Sequence, residues 1–192
     1  MGMSGAILAA ALVAQAAGQS EPLPRAMIVT EYGPVTVELD HVRAPVTACN
    51  FMRYVSLGLY TGGRFFRSVQ GPIHVVQAET IHGSDDPGLG PIRLERTRDT
   101  GLRHAAGAVS MARDGPDTAT SSFFVVTHDS PSLDFGGGRN PDGQVFAVFG
   151  RVVEGLGLFH LMQARPTLDE RIQPPVAMLS VHMLDPVPAV CS

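Results

Sequence analysis

What the sequence has little of narrows its class before any motif is read. Only 17% of its 192 residues are charged, and the formal net charge is −4. A nucleic-acid surface needs clustered lysine and arginine. Here the one basic group, Arg93, Arg96, Arg98 and Arg103, is interleaved with Glu95 and Asp99 and reads as a solvated mixed-charge face. Tryptophan is absent and cysteine is scarce: Cys49 and Cys191 form no CxxC, so no redox or metal motif exists. Cys49 lies in an apolar helical stretch, where a free buried thiol is the ordinary reading, and Cys191 falls in a C-terminal segment expected to be disordered. Pairing between the two stays open. No GxSxG, P-loop or HExxH motif is present, and the seven histidines (41, 74, 82, 104, 128, 160, 182) show no metal-ligand spacing. Most of them read as surface or loop residues. Asp134-Phe135-Gly136 spells a kinase tripeptide without its companion motifs, and Asn140-Pro141-Asp142-Gly143 is a turn signature with too few oxygen ligands for calcium. No metal and no cofactor are implied.

The apolar run Ala6 to Ala14 is too short to span a bilayer. It has the length of a signal-peptide core and leads into Ala14-Gln15-Ala16, a small-x-small cleavage pattern. No Lys or Arg precedes it within Met1 to Gly5, so an Ala-rich arm is the alternative reading. The expected organisation is a signal peptide over 1–16, a linker over 17–25, one folded domain over 26–185 and a tail over 186–192. Export would place the mature chain in a periplasm or outside the cell, without stable membrane insertion; without cleavage it would be cytoplasmic.

What is abundant is punctuation. Gly 21 and Pro 15 are scattered along the chain, which favours many short elements joined by turns. Val35, Val37 and Leu39 alternate with Thr36, Glu38 and Asp40 as in a half-buried strand, and Met27 to Glu31 reads as its partner across a Tyr32-Gly33-Pro34 turn. A helix is predicted from Pro45 to about Gly58, and a second from Leu156 to Gln163. Further strands are predicted at 65–69, 73–78, 108–111, 123–127, 147–152 and 176–183, with long loops over 80–106 and 128–143. About eight short strands and two helices predict a mainly β fold, a closed eight-stranded antiparallel barrel capped by two α-helices.

The informative segment runs from Ser110-Met111-Ala112-Arg113 through Pro116, Thr118 and Ser121 to Ser122-Phe123-Phe124-Val125. With Phe65-Phe66-Arg67, Gln77, Leu133-Asp134 and Phe149-Gly150-Arg151, it resembles the cyclophilin family. That family's patterns are F-H-R, a following Gln, and S-M-A-x-x-x-P-x-T-x-x-S-Q-F-F. The resemblance extends from about Ala26 to Asp185 and is most similar to a bacterial branch with a longer Pro-Ser-Leu-Asp-Phe-Gly-Gly-Gly loop.

The resemblance implies a cyclophilin-like barrel with peptidyl-prolyl cis-trans isomerase (rotamase) activity, assisting protein folding as a monomer on proline-containing polypeptides, with no nucleic-acid partner. It implies catalytic roles for Arg67, Gln77 and Phe124, the last as floor of a proline pocket. Substrate contacts would come from His74, Val75, Ala112, Arg113, Ser122, Leu133 and Phe146. The chain departs from the family's pattern at Ser122, where glutamine is usual, at His74, Ala78-Glu79 and Phe146, and at Ser132, where well-known members carry tryptophan. The alternative is a low-activity cyclophilin-like module that binds Pro-containing segments. For the N-terminal reading, mass spectrometry of the native protein is expected to find a mature terminus near Ala17; intact Met1 recovered from cytosol would identify the apolar run as a tail.

Overall fold

Period-2 alternation becomes a hairpin of β1 (Arg25–Thr30) and β2 (Gly33–Leu39), with Ile28 opposite Val35 and Ala26 opposite Val37, all four buried. The computed structural model describes residues 22–83 and 88–191, so the expected signal segment lies outside the described residues. The remaining strands are β3 (Arg64–Gln70), β4 (His74–Glu79), β5 (Ala108–Met111), β6 (Phe123–Val126), β7 (Ala147–Glu154), β8 (Thr167–Leu168) and β9 (Arg171–Met183). Their order is β1-β2-β7-β5-β6-β4-β3-β9, every neighbouring pair is antiparallel, and β9 returns to pair with β1. Eight strands thus close into a barrel with no free edge, the architecture that the element count predicts. The two-residue β8 is an appendage folded onto the start of β9.

Two helices cover the barrel. α1 (Pro45–Ser56) packs against β7 and β9, and α3 (Leu156–Gln163) against β2, β3, β4 and β9. Between them in sequence, α2 (Thr97–Thr100) is a single turn inside the first long loop. Aromatic edges meet aromatic faces through the core: Phe123 stands edge-on to Phe51, Tyr60 and Phe65, and Phe159 of α3 edge-on to Phe65 at 5.3 Å. No described helix is long and apolar enough to cross a membrane.

Three expectations are corrected. Strand β9 begins at Arg171 rather than Val176, and Pro174-Pro175 is accommodated within it where pairing with β3 lapses, between Arg171 and Val176. Glu95 is not part of a solvated face. It is buried and caps α1, whose N-terminus has Ala44 and Pro45 and no side-chain cap of its own. The Glu95 carboxylate accepts the Val46 N–H (3.0 Å), the Thr47 N–H (2.8 Å) and the Thr47 hydroxyl (2.7 Å). Its neighbours are engaged too: Arg98 lies over the Phe135 ring and the Arg96 guanidinium bonds the Gln144 side chain.

The third correction concerns cysteine. Cys49 is not a free thiol and the tail is not loose: Cys49 of α1 is disulfide-bonded to Cys191, and a short 3₁₀ turn over Ala189–Cys191 packs on α1. The bond joins residues 142 apart in sequence. A cross-link over so long a loop removes many conformations from the unfolded chain. Reduction, or Cys49→Ala with Cys191→Ala, is expected to lower the unfolding free energy by about 2–4 kcal/mol. Urea denaturation with and without reductant measures it, and an unchanged midpoint would show that the tail contributes nothing.

Candidate functional site

Strand parity decides which side chains can share a surface. On β4, Val76 and Ala78 are fully buried, which turns Val75 and Gln77 to the opposite face. Cross-strand pairing extends that face: Gln77 is opposite Phe124 of β6, and Phe124 is opposite Ser110 of β5. On β3, regular alternation would put Arg67 on the same face as the fully buried Phe65. The register slips instead, from Phe65 opposite Ala78 to Arg67 opposite Gln77, leaving Phe66 as a one-residue bulge. A bulge re-aims a side chain. Here it brings Arg67 beside Gln77.

The Arg67 guanidinium is held from two sides. Its Nη1 donates to Gln77 Oε1 at 3.0 Å, while Nε (2.9 Å) and Nη2 (2.5 Å) both donate to Glu170 Oε2. Glu170 and Asp169 form the β8–β9 turn with φ of 64° and 49°, left-handed values uncommon for residues other than glycine. The Glu170 carbonyl accepts the Ser68 N–H at 2.8 Å, so the turn is tied to the strand that carries the arginine. An acidic residue in a turn far along the chain gave no sequence signal of this role.

Arg67, Gln77 and Phe124 line one cavity of about 510 Å³ on the outside of the barrel. Ile73, Val75, Ala112, Ser122, Leu133 and Phe146 join them. Phe124 forms an apolar floor, with the Phe146 ring edge-on at 5.3 Å. Ser122 lines the cavity as well, and its hydroxyl is buried without a hydrogen-bond partner. Arg113 also lines the cavity, and its side chain is only 1% exposed. It clamps the second long loop, pairing with both carboxylate oxygens of Asp142 (2.8 and 3.0 Å) and donating to the Val145 carbonyl. The paired guanidinium holds the Asp142 carboxyl down at about 2.

One expected contact lies elsewhere. His74 is not among the cavity's lining residues; its ring packs on His128, with centroids 4.9 Å apart. Strand alternation is the reason: His74 and Val75 are adjacent and cannot both face Gln77.

Behind the floor is a buried polar chain that sequence reading missed. His104, taken with the other histidines as a surface or loop residue, is 1% exposed. Its ring lies 6.0 Å from Phe124 at an interplanar angle of 16°. Nδ1 is 2.8 Å from Asp134 Oδ1, and Nε2 is 2.9 Å from Ser110 Oγ. An ionised Asp134 can only accept, so Nδ1 carries the proton and Nε2 accepts from the serine. The order is that of an Asp-His-Ser triad, yet Ser110 is 0% exposed and no nucleophilic attack is open to it. The chain fixes the floor and, through the His104 N–H to Asp134 bond (3.0 Å), the loop that carries Leu133.

A profile of the family described as cyclophilin type peptidyl-prolyl cis-trans isomerase/CLD matches residues 25–183. The chain is 35% identical over 131 residues to peptidyl-prolyl cis-trans isomerase A of Dickeya dadantii, covering 68% of this chain and 66% of that protein. It is 36% identical over 127 residues to peptidyl-prolyl cis-trans isomerase cyp18 of Streptomyces antibioticus, covering 66% and 75%. A crystal structure of a Cryptosporidium parvum cyclophilin type peptidyl-prolyl cis-trans isomerase, determined in the presence of the dipeptide Ala-Pro, superposes with a TM-score of 0.67 at 19% identity. It covers 84% of this chain and 99% of that one, a likeness of fold.

Burial disfavours the His104 imidazolium and holds the group below its ordinary value of 6.5, outweighing the opposite pull of Asp134. For Asp134, burial acts to raise the carboxyl, but the bonds from His104 and the nearby Arg103 prevail and hold it below 3.8. The unfolded chain therefore protonates a histidine near pH 6.5 while the folded chain does not, so stability is intact above that pH and declines as pH falls below it. Loss from Asp134 follows only at lower pH. The melting temperature of wild type is expected to fall between pH 7 and pH 5 more steeply than that of His104→Asn; equal slopes would rule out this contribution.

Proposed function

The chain belongs to the cyclophilin family of peptidyl-prolyl cis-trans isomerases, and we propose that Arg67, held over the Phe124 floor, is the group through which it speeds rotation about X-Pro bonds. Amide resonance opposes this rotation with a barrier of roughly 18–20 kcal/mol. X-Pro bonds have a substantial cis population, and their slow exchange can limit folding. Catalysis needs no nucleophile. It needs the ring of proline held on an apolar floor, the flanking chain anchored, and a donor aimed at the imide nitrogen. Donation there localises the lone pair, and it is stronger in the twisted state than in either planar one.

The observation that carries this reading is the state of the Arg67 fork. A guanidinium has five N–H groups, and three are engaged by Gln77 and Glu170. The rest are left for a substrate, on a planar group whose orientation is already fixed. Val75, Leu133 and Phe146 would wall the proline site, and Ala112, Arg113 and Ser122 would lie along the extended substrate. No cofactor enters.

We read the protein as a monomeric folding catalyst of a bacterial, exported branch, acting on proline-containing polypeptides. The Cys49–Cys191 bond supports export, since disulfides persist in oxidising compartments.

Arg67→Ala is expected to reduce kcat/KM about a hundredfold, equivalent to about 2.7 kcal/mol, with circular dichroism unchanged. A coupled peptide assay reads the activity, and wild-type activity in a folded variant would refute the assignment. Glu170 acts as a positioning residue, so Glu170→Ala should lower kcat more than it raises KM, with Glu170→Gln recovering part of the loss. Identical kinetics for both variants and wild type would remove Glu170 from the mechanism.

A further inference from the structure

Four charged side chains line the Arg67 cavity, and two of them are already neutralised within the protein: Arg67 is paired with Glu170, and Arg113 with Asp142. The other two, Arg139 and Asp114, are exposed, and among the described residues neither has an ion pair or a side-chain hydrogen bond. Building on the isomerase reading of this cavity, we propose that Arg139 is a specificity-determining residue. It selects proline segments that carry an acidic side chain within two positions of the proline.

What separates Arg139 from an ordinary surface arginine is a fixed backbone beneath an uncommitted side chain. Its main-chain N–H donates to the Ser132 carbonyl at 3.3 Å, one residue before Leu133 of the cavity wall. On the preceding side, the Gly137 N–H donates to the Asp134 carbonyl at 2.7 Å, and Asp134 is held by His104. On the following side, the Gly143 N–H closes a turn on the Asn140 carbonyl at 3.0 Å, and Arg113 grips Asp142 within that turn. Asn140 and Pro141 line the same cavity, so this segment forms part of its wall. The guanidinium is carried there on a backbone anchored on both sides, and only its rotamers remain to be ordered when a ligand arrives.

A guanidinium offers a planar fork of donors that fits a carboxylate in bidentate geometry. A segment lying over Phe124 displaces water from the cavity, and the lower local dielectric strengthens such a pair. The acid is read at Arg139 rather than at Arg67 or Arg113, because Glu170 and Asp142 already supply carboxylates to those two. Asp114 makes the preference positional. It sits on a different loop, the segment after β5, where its main-chain N–H donates to Thr118 Oγ1 at 3.2 Å. An acid beside Asp114 is repelled and one beside Arg139 is attracted, so the selection is for an acid at particular positions and not for negative charge in general.

The test uses the full chain and short alanine peptides with one proline, acetylated and amidated so that their termini carry no charge. Glu, Gln or Lys is placed in turn at each of the two positions before and after the proline. At one or more of these positions kcat/KM for Glu should exceed that for Gln about threefold to fivefold, the upper range for an accessible ion pair, with Lys below both. The difference should shrink in about 0.5 M sodium chloride. Arg139→Gln should remove it, Arg139→Glu should favour Lys at the same position, and Asp114→Asn should leave it in place; circular dichroism checks that each variant is folded. Equal rates for Glu and Gln at every position, or a preference for Glu that persists in both Arg139 variants, would overturn the proposal. No turnover of the Gln peptides by wild type would count against the isomerase reading instead, and fluorescence anisotropy of labelled peptides then applies the same criteria to their dissociation constants.

Discussion

A barrel of eight strands has room inside only for its own side chains. Phe65, Phe123 and Phe149 fill it here with the aromatic groups of α1 and α3, and none of them is exposed. Everything that meets a ligand must then be built on the outer face of the sheet and roofed by loops. Pleat parity follows from that packing: each residue committed to the core commits its neighbour to the outside. Phe123 inward gives Phe124 outward, and Val76 and Ala78 inward give Val75 and Gln77 outward. At one position the rule would have failed. Without the Phe66 bulge, the inward Phe65 would carry Arg67 with it.

The loops that complete the outer face are tied down by acidic side chains as well as by buried apolar ones such as Leu94, Leu102 and Leu133. Glu95 ties the first long loop to the N-terminus of α1, and Asp134 and Asp142 tie the second through His104 and Arg113. At one point of that second loop the backbone is close-packed: a Cβ on Gly137 would stand 2.3 Å from the Ser132 carbonyl oxygen. These anchors hold Leu133 and Phe146 over Phe124 before any substrate arrives. Preorganisation of this kind is where isomerase catalysis finds its advantage, since the reaction makes and breaks no covalent bond and depends on donors placed for the twisted state.

How much of this the sequence reveals differs by physical cause. Alternation and turn residues are local, and they disclose β1, β2, α1, α3 and the closed barrel. The motif around Ser110–Phe124, with Arg67 and Gln77, discloses the cavity. What stays hidden depends on long-range geometry. Glu170 meets Arg67 across 103 residues, Glu95 caps a helix 48 residues behind it, and Cys191 reaches Cys49 across 142. Each is an unremarkable residue in its own segment. His74 shows the converse error: matching the family's pattern position by position set it in the pocket, and the pleat turns it out.

The central claim is that the Arg67–Phe124 cavity accelerates an equilibrium that it does not displace. Two-dimensional exchange NMR on a short Ala-Pro peptide with substoichiometric protein tests this most directly. The account predicts exchange cross-peaks between cis and trans proline resonances, with their population ratio unchanged. Absence of cross-peaks, or a shift of the ratio in proportion to added protein, would contradict it and indicate a module that only binds one isomer.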